Sequence, residues 1–191
     1  MKRFRITLNA PVILTFTLLC FLATLAGRLT GGAATEVLFM TYRAPLNDPM
    51  TWLRLVTHVI GHADWAHFIG NASYLLLLGP MLEEKHGPMA IAGIILTTAL
   101  ITGVVNTIFF PRVAVCGASG VVFAFILLTS YTSFREGELP VTVLLVAAIY
   151  IGQQMYDGIV LKDNISNMAH ILGGVTGGVI GYELNRKSKY S

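Results

Sequence analysis

Long apolar stretches follow one another along this chain, separated by short polar segments. The apolar stretches run from Ala10 to Gly27, Ala66 to Leu82, Met89 to Phe110, Val113 to Phe134, Leu139 to Tyr156 and Ile165 to Tyr182. Each is close to the ~20 residues that an α-helix needs to cross the hydrocarbon core of a bilayer. The pattern predicts an all-α membrane protein with six transmembrane helices, at approximately residues 10–28, 66–83, 89–110, 115–134, 139–157 and 166–184.

The longest connection in this pattern is the segment of residues 29–65, here called loop 1. Its turn sequence Asn47-Asp48-Pro49 and its tryptophans Trp52 and Trp65 are typical of turns and short helices at a membrane surface. Basic residues precede the first predicted helix and follow the last one (Lys2, Arg3, Arg5, Arg186, Lys187 and Lys189). The positive-inside rule therefore predicts cytoplasmic termini and an outward-facing loop 1, within a single membrane domain over residues 1–191.

Composition supports the membrane assignment and excludes an ordinary soluble domain. Hydrophobic residues make up 54% of the chain and charged residues only 12%, which is more apolar than soluble globular proteins are. The formal net charge is +3, but the basic residues cluster at the termini, where they suit lipid headgroups. We therefore expect no nucleic-acid partner. The two cysteines, Cys20 and Cys116, neither support nor exclude a disulfide.

Unusual polar residues stand near the start of three of the predicted spans, at one depth. His67 and Asn71 are near the start of the second span, Ser119 is near the start of the fourth and His170 near the start of the sixth. Because these three spans run inward, the four side chains are expected in the outer part of the bilayer. Polar residues at such depth usually face a bundle interior or a watery cavity. His67 and Asn71 share one helix face, with a rise of ~6 Å between them.

Each of these residues also has a purely structural interpretation. Small residues let membrane helices pack closely, which explains Gly117 and Gly120 around Ser119 and the pair Gly173 and Gly177 after His170. A serine in such a helix can bond the carbonyl one turn back. Helix packing alone does not explain why a histidine, His170, precedes Gly173 and Gly177 on the same helix face.

Taken together, the polar residues have a chemical interpretation. A serine hydroxyl becomes a nucleophile when an adjacent base takes its proton, and histidine is the usual base. Ser119 and His170 supply that pair. The oxyanion formed on an attacked carbonyl needs fixed donors, for which His67, Asn71 and the Ser119 backbone N–H are candidates. No acidic residue stands out as a third member, so the residues favour a Ser-His dyad.

Three separated sequence blocks give this constellation a specific resemblance. They are HVIGHADWAHFIGN with His62, His67 and Asn71, then GASG with Ser119, then AHILGGVTGG with His170, Gly173 and Gly177. In this order they resemble the rhomboid family of intramembrane serine proteases, in the compact six-helix prokaryotic form. Trp52 and Arg54 resemble the signature of that family's loop 1, and the resemblance extends from about Ala10 to Leu184.

The resemblance implies a role for each matching residue. Ser119 would be the nucleophile, His170 the base and then the acid, and His67 and Asn71 the oxyanion donors, with a structural hydrogen-bonding role for His62. It implies a fourth helix that starts below the outer surface, and a fifth helix, residues 139–157, that gates the substrate. Glu83 resembles a glutamate that ties helix ends together. Phe123 stands where family members commonly have tyrosine, so any role of that hydroxyl is absent here.

Two functions other than proteolysis fit some of these residues. His58, His62 and His67 are close enough in sequence to suggest a metal site, but the spacing lacks the His-Glu-x-x-His pattern of zinc proteases and turns His67 away. We expect no metal and no cofactor. A second possibility is a catalytically silent rhomboid-like protein that binds and escorts transmembrane helices. The expected partners are transmembrane protein substrates and the lipid bilayer, the expected location is a prokaryotic inner membrane, and the oligomeric state is undetermined.

Overall fold

A computed structural model describes residues 8–110 and 112–131, together with the isolated residues Val141, Leu144, Leu145, Ala148, Ile149, Gly152, Ile171, Val175, Thr176 and Val179. The helices of the two continuous ranges are α1 (Pro11–Leu29), α2 (Ala33–Leu38), α3 (Pro49–Thr57), α4 (Trp65–His86), α5 (Pro88–Phe109) and α6 (Ser119–Tyr131). The two short helices α2 and α3 belong to loop 1.

Local sequence signals explain where these helices begin. α1, α3 and α5 each start on a proline, whose fixed φ suits the first helical position and whose missing N–H is not needed there. Aspartates cap two other starts. The side chain of Asp48 accepts the Met50 N–H at 2.9 Å, and that of Asp64 accepts the His67 N–H at 2.8 Å. Each cap satisfies an amide that the first helical turn leaves without a partner.

The helix bounds agree with the sequence prediction in three spans. α1, α4 and α5 match the predicted 10–28, 66–83 and 89–110 closely, and loop 1 contains short helices as expected. α6 is a correction, since it begins at Ser119 and not at the predicted position 115. Val115 is instead paired with Thr41 in an antiparallel bridge, so the chain is extended there. The predicted fifth and sixth spans lie outside the continuously described residues and stay a prediction.

The surface of the long helices is apolar. α1 and α5 are long and apolar enough to cross a bilayer, and α4 is as long as α5 but carries Glu83, Glu84 and Lys85 at its end. Many large hydrophobic side chains on these three helices are exposed, among them Leu18, Leu22, Leu77, Met81, Leu96 and Ile108. An exposed apolar surface of this extent is typical of contact with lipid.

The C-terminal end of α4 is joined to the start of α1. The two carboxylate oxygens of Glu83 accept the N–H groups of Val12 and Ile13, each at 2.9 Å. These are amides of the first turn of α1, where the helix dipole favours a negative charge. Nearby, α1 and α4 touch so closely that a Cβ on Gly79 would lie 2.6 Å from the Ile13 side chain. The structure thus confirms that Glu83 ties two helix ends together.

Loop 1 is organised around the buried Arg54 of α3. Its Nε donates to the Val37 carbonyl at 2.8 Å, and the guanidinium carbon Cζ lies over the Tyr42 ring, 4.7 Å from the centroid. A 3.8 Å ion pair with Asp48 adds a second tie. Trp52, in contrast, is 58% exposed and donates from its indole nitrogen to the Leu46 carbonyl. α3 therefore has a buried polar anchor on one face and an aromatic side chain on the outside.

Candidate active site

The approach segment, residues 112–118, leads into α6 and is fixed first by α5 and loop 1. Asn106 on α5 donates its side-chain N–H to the Val113 carbonyl at 2.9 Å. Thr41 and Val115 exchange both backbone hydrogen bonds at 2.9 Å. The Thr41–Val115 contact joins residues far apart in sequence, whereas Asn106 and Val113 are only seven positions apart, so the segment is held both by the end of α5 and by loop 1.

Closer to Ser119, the approach segment is held by the residues between α3 and α4. The Gly117 N–H donates to the His58 carbonyl at 2.8 Å. The next amide, that of Ala118, donates to the ring nitrogen Nε2 of His62 at 3.5 Å. Two consecutive N–H groups are thereby directed toward loop 1, immediately before the serine that begins α6.

The N-terminal end of α4 places two predicted oxyanion donors against the approach segment. A Cβ on Gly117 would lie 2.7 Å from the Cε1 and Nε2 atoms of His67 and 3.7 Å from Nδ2 of Asn71. Gly117 also has a φ of +124°, a conformation that strains any residue with a side chain. Both the backbone conformation and the lack of space for a Cβ therefore favour glycine at this position. Its small size lets the side chains of His67 and Asn71 approach the residues before Ser119.

Asn71 has a buried donor with an unused hydrogen-bonding capacity. The residue is only 7% exposed, and within the described part of the chain its Nδ2 has no hydrogen-bond partner. A buried donor without an acceptor costs about 1–3 kcal/mol. This atom lies 3.7 Å from the Cβ position of Gly117 and is able to donate to an acceptor that enters the site.

Ser119 is the first residue of α6. The N–H groups of a first helical turn point out of the helix and carry the positive end of its dipole, which favours a developing negative charge. Gly120 and Phe123, which follow Ser119 in the sequence, are both buried on α6. The structure therefore brings Ser119, Gly117, His67 and Asn71 to one end of the bundle.

Three further predicted site residues, His170, Gly173 and Gly177, fall outside the described residues. Their roles stay predictions from the sequence.

His58 is fully enclosed and serves the packing of loop 1 on α5. Its Nδ1 lies 3.1 Å from the Arg54 carbonyl and its Nε2 lies 3.1 Å from the Thr102 hydroxyl. Burial lowers the pKa of His58 to about 4, and the hydrogen bonds to backbone oppose this only in part. The ring is therefore neutral at physiological pH.

His62 is also a neutral, hydrogen-bonded ring. Its Nδ1 lies 3.2 Å from the Ile60 carbonyl and is the donor, which leaves the Nε2 lone pair to accept from Ala118. Burial, and then repulsion from a charge on the neighbouring His67, lowers its pKa to about 4, while Asp64 and the Ile60 carbonyl oppose the shift. Since both nitrogens of His58 and of His62 are engaged within the protein, neither ring offers a lone pair for a metal.

Sequence reasoning missed several residues that shape this site. Asn106, Thr41 and Asp64 hold the approach segment or begin α4, yet none was singled out. Asn106 was identifiable from the sequence, because an amide side chain in an apolar span is unusual. The Asp64 cap was identifiable as well, because an aspartate just before a helical segment is a typical N-cap. The role of Thr41 is carried by its backbone, which has no sequence signature.

Fold and site together define a helical membrane protein with a polar serine site near one end of its bundle. Comparison with known sequences makes this more specific. The sequence model described as Rhomboid domain matches residues 49–187, which is more than half of the chain. The protein therefore belongs to the rhomboid family, whose members are integral membrane proteins.

Individual relatives come from distant organisms. Rhomboid protease GlpG of Haemophilus influenzae is 26% identical over 190 residues, covering 95% of this chain and 94% of that protein. Rhomboid-related protein 2 of Mus musculus is 29% identical over 75% of this chain, and the chloroplastic Rhomboid-like protein 11 of Arabidopsis thaliana is 24% identical over 71% of it. The matches span only 51% and 53% of those two relatives, so about half of their length.

Proposed function

We propose that this protein is an intramembrane serine endopeptidase that cleaves transmembrane segments near the outer side of the bilayer with a Ser119–His170 dyad. The observation that carries the proposal is the buried, unpartnered Nδ2 of Asn71 within the described residues, which lies with the His67 ring against Gly117. Gly117 is two residues before Ser119. An unsatisfied donor is unfavourable in a resting protein and useful only when an acceptor arrives.

In the proposed reaction, the Ser119 hydroxyl attacks the carbonyl carbon of the scissile peptide bond and His170 takes its proton. The carbonyl oxygen becomes an oxyanion that accepts hydrogen bonds from Asn71 Nδ2, the His67 ring and the Ser119 amide. Collapse breaks the C–N bond, and His170 returns the proton to the leaving amine. Water, activated by the same histidine, then hydrolyses the ester on Ser119.

The proposed topology follows the six predicted spans. The N-termini of α4 and α6 carry His67 and Ser119, and with cytoplasmic chain termini both helix starts face outward. Water would reach the serine from that side. A substrate helix has to unwind locally before cleavage because its carbonyls are hydrogen-bonded, and unpaired backbone groups are costly in lipid. We therefore propose substrates cut near the outer end of a single transmembrane helix, in a prokaryotic inner membrane.

The test is cleavage of a single-pass transmembrane substrate in detergent micelles, combined with labelling by a fluorophosphonate probe. Wild type is compared with Ser119→Ala, His170→Ala and, as matched control, Cys116→Ala, with a melting curve for each. Cleavage and labelling that vanish in the first variant, cleavage that vanishes in the second, and both persisting in the control support the proposal. The cut is expected at the outer end of the substrate helix.

Three outcomes would count against the proposal. A folded Ser119→Ala that still cleaves removes the serine from the mechanism, and a Cys116→Ala variant that does not react assigns the chemistry to the thiol. If wild type neither cleaves nor labels but binds transmembrane helices, the protein is the escort-type member of the family.

A further inference from the structure

His62 occupies a position between loop 1 and the approach segment that the proposed chemistry does not use. The ring is 1% exposed, follows α3 and precedes the Asp64 cap of α4. It contacts the approach segment through Ala118 and contacts the candidate oxyanion donor His67 edge-on, with ring centroids 5.0 Å apart. One side chain thus contacts two of the groups that surround the candidate oxyanion position.

The Ala118 amide has a particular place in the chain. It is the last N–H before Ser119, and the Ala118 carbonyl accepts the Val122 N–H at 2.9 Å, so this residue starts the hydrogen bonding of α6. Its N–H points to His62 and its carbonyl points into α6. The plane of the peptide that joins Ala118 to Ser119 sets where the Ser119 N–H points. A fixed Ala118 therefore fixes the direction of the Ser119 amide.

The ring of His62 is itself held from the other side. Phe68, one residue after His67, packs edge-on against it at 5.6 Å with an interplanar angle of 85°. Phe68 in turn packs against Trp65 and against Phe21 of α1, both at 6.0 Å. With Nδ1 donating to the Ile60 carbonyl, the ring plane of His62 is set by a hydrogen bond and by an aromatic cluster.

We propose that His62 is a positioning residue for the proposed reaction. It acts as a neutral acceptor that binds the Ala118 N–H through Nε2 and so aligns the Ser119 amide with the oxyanion, while its ring limits the orientations of His67. The inference rests on the proposed function for its catalytic consequence, but the hydrogen bond itself is independent of catalysis. What the site requires at this position is a hydrogen-bond acceptor at the Nε2 location.

Three substitutions separate this role from simple packing. Glutamine carries an acceptor oxygen near the Nε2 location, asparagine carries its polar atoms near Nδ1 only, and leucine carries none. We expect His62→Leu to lower kcat by about 10- to 100-fold with KM within about threefold, a smaller loss than deletion of a direct oxyanion donor causes. His62→Gln is expected to regain most of kcat, whereas His62→Asn is expected to stay near the leucine variant.

The experiment measures kcat and KM on one transmembrane substrate, the melting temperature of each variant, and hydrogen exchange of the Ala118 amide. Leu77→Ala, an exposed site on α4, is the control with unchanged kcat. Faster exchange at Ala118 in His62→Leu and slow exchange in His62→Gln support the hydrogen bond. The inference is overturned if His62→Asn matches or exceeds His62→Gln in kcat, or if exchange at Ala118 is the same in all variants.

The exchange measurement also distinguishes the two proposals. If wild type is inactive while Ala118 exchange depends on His62 as expected, proteolysis fails and the positioning contact stands. If wild type is active and kcat of His62→Leu stays within about twofold of it, the positioning role fails and proteolysis stands.

Discussion

The two ends of α4 bury polar groups to a similar degree but use them differently. At its C-terminal end Glu83 is 3% exposed, and both of its carboxylate oxygens accept amides of α1 at 2.9 Å. At its N-terminal end Asn71 is 7% exposed, and its Nδ2 has no partner within the described ranges. One helix thus carries a satisfied buried group at one end and an unsatisfied one at the other.

A paired and an unpaired buried polar group have opposite effects on the free energy of the folded state. Two hydrogen bonds to a carboxylate lower the free energy of the folded state, so removing Glu83 should act on stability. An unpaired donor raises that free energy, and under the proposed function its partner is the oxyanion of the transition state. Removing Asn71 should therefore act on rate.

Replacement of Glu83 is expected to have the largest effect. Glu83→Leu leaves the amides of Val12 and Ile13 without acceptors, and each orphaned buried donor costs about 1–3 kcal/mol, so about 2–6 kcal/mol of stability is lost. Glu83→Gln keeps one acceptor oxygen and should lose roughly half as much. Heat unfolding in detergent measures both. Equal melting temperatures for wild type and the leucine variant would show that the C-terminal end of α4 is not held by this carboxylate.

Replacement of Asn71 is expected to give the opposite pattern. Asn71→Ala should lower kcat by about 10²- to 10³-fold, as loss of one oxyanion donor does. Its melting temperature should be equal to or above that of wild type, because a buried donor without a partner is removed. Turnover and heat unfolding are measured on the same preparation. A variant that is unstable and keeps full kcat would reverse the assignment of the two ends.

Gly117 provides a smaller test, with Gly87 as its matched control. Both glycines have positive φ, +124° and +83°, so alanine strains the backbone at either position by about 1–3 kcal/mol. Only at Gly117 does the new Cβ also meet His67, whereas at Gly87 no atom of the described residues lies within 4 Å. We expect similar losses of melting temperature but a marked fall in kcat for Gly117→Ala alone. A fall of kcat in both variants would trace the effect to backbone strain.

The buried histidines just before α4 should make the stability of the protein sensitive to acid. Burial lowers the pKa of both His58 and His62 from 6.5 to about 4, so the folded state binds fewer protons than the unfolded state between these values. Stability is therefore full above about pH 6.5 and falls as the pH drops toward 4, by at most about 1.4 kcal/mol per pH unit for each ring. Melting temperatures between pH 7.5 and 4.5 measure this. His62→Gln should flatten the profile, and an unchanged slope would contradict the assignment.

Much of the helical framework was predictable because its signals are local. Apolar runs with Pro11, Pro88 and Asp64 at their starts predict α1, α5 and α4 to within a few residues. The candidate site residues of α4 were predictable as well, since His67 and Asn71 are polar in an apolar span.

The start of α6 was not predictable from the same signals. Val115 and Cys116 are as apolar as the helix that follows, so hydropathy extends the span through them. The extended chain is imposed by backbone hydrogen bonds to Thr41 and to His58, which are distant in sequence. Such bonds depend on the fold as a whole, and no residue type signals them.

The bridge between Thr41 and Val115 has a consequence for how such a protein can diverge. Both of its hydrogen bonds run from main chain to main chain, and the next contact, from Gly117 to the His58 carbonyl, is of the same kind. No mutation of a side chain at position 41 or 115 deletes these donors and acceptors, except a change to proline. The placement of Ser119 is thereby separated from much of the residue identity around it, and substitutions can accumulate there over evolutionary time while the serine stays in place.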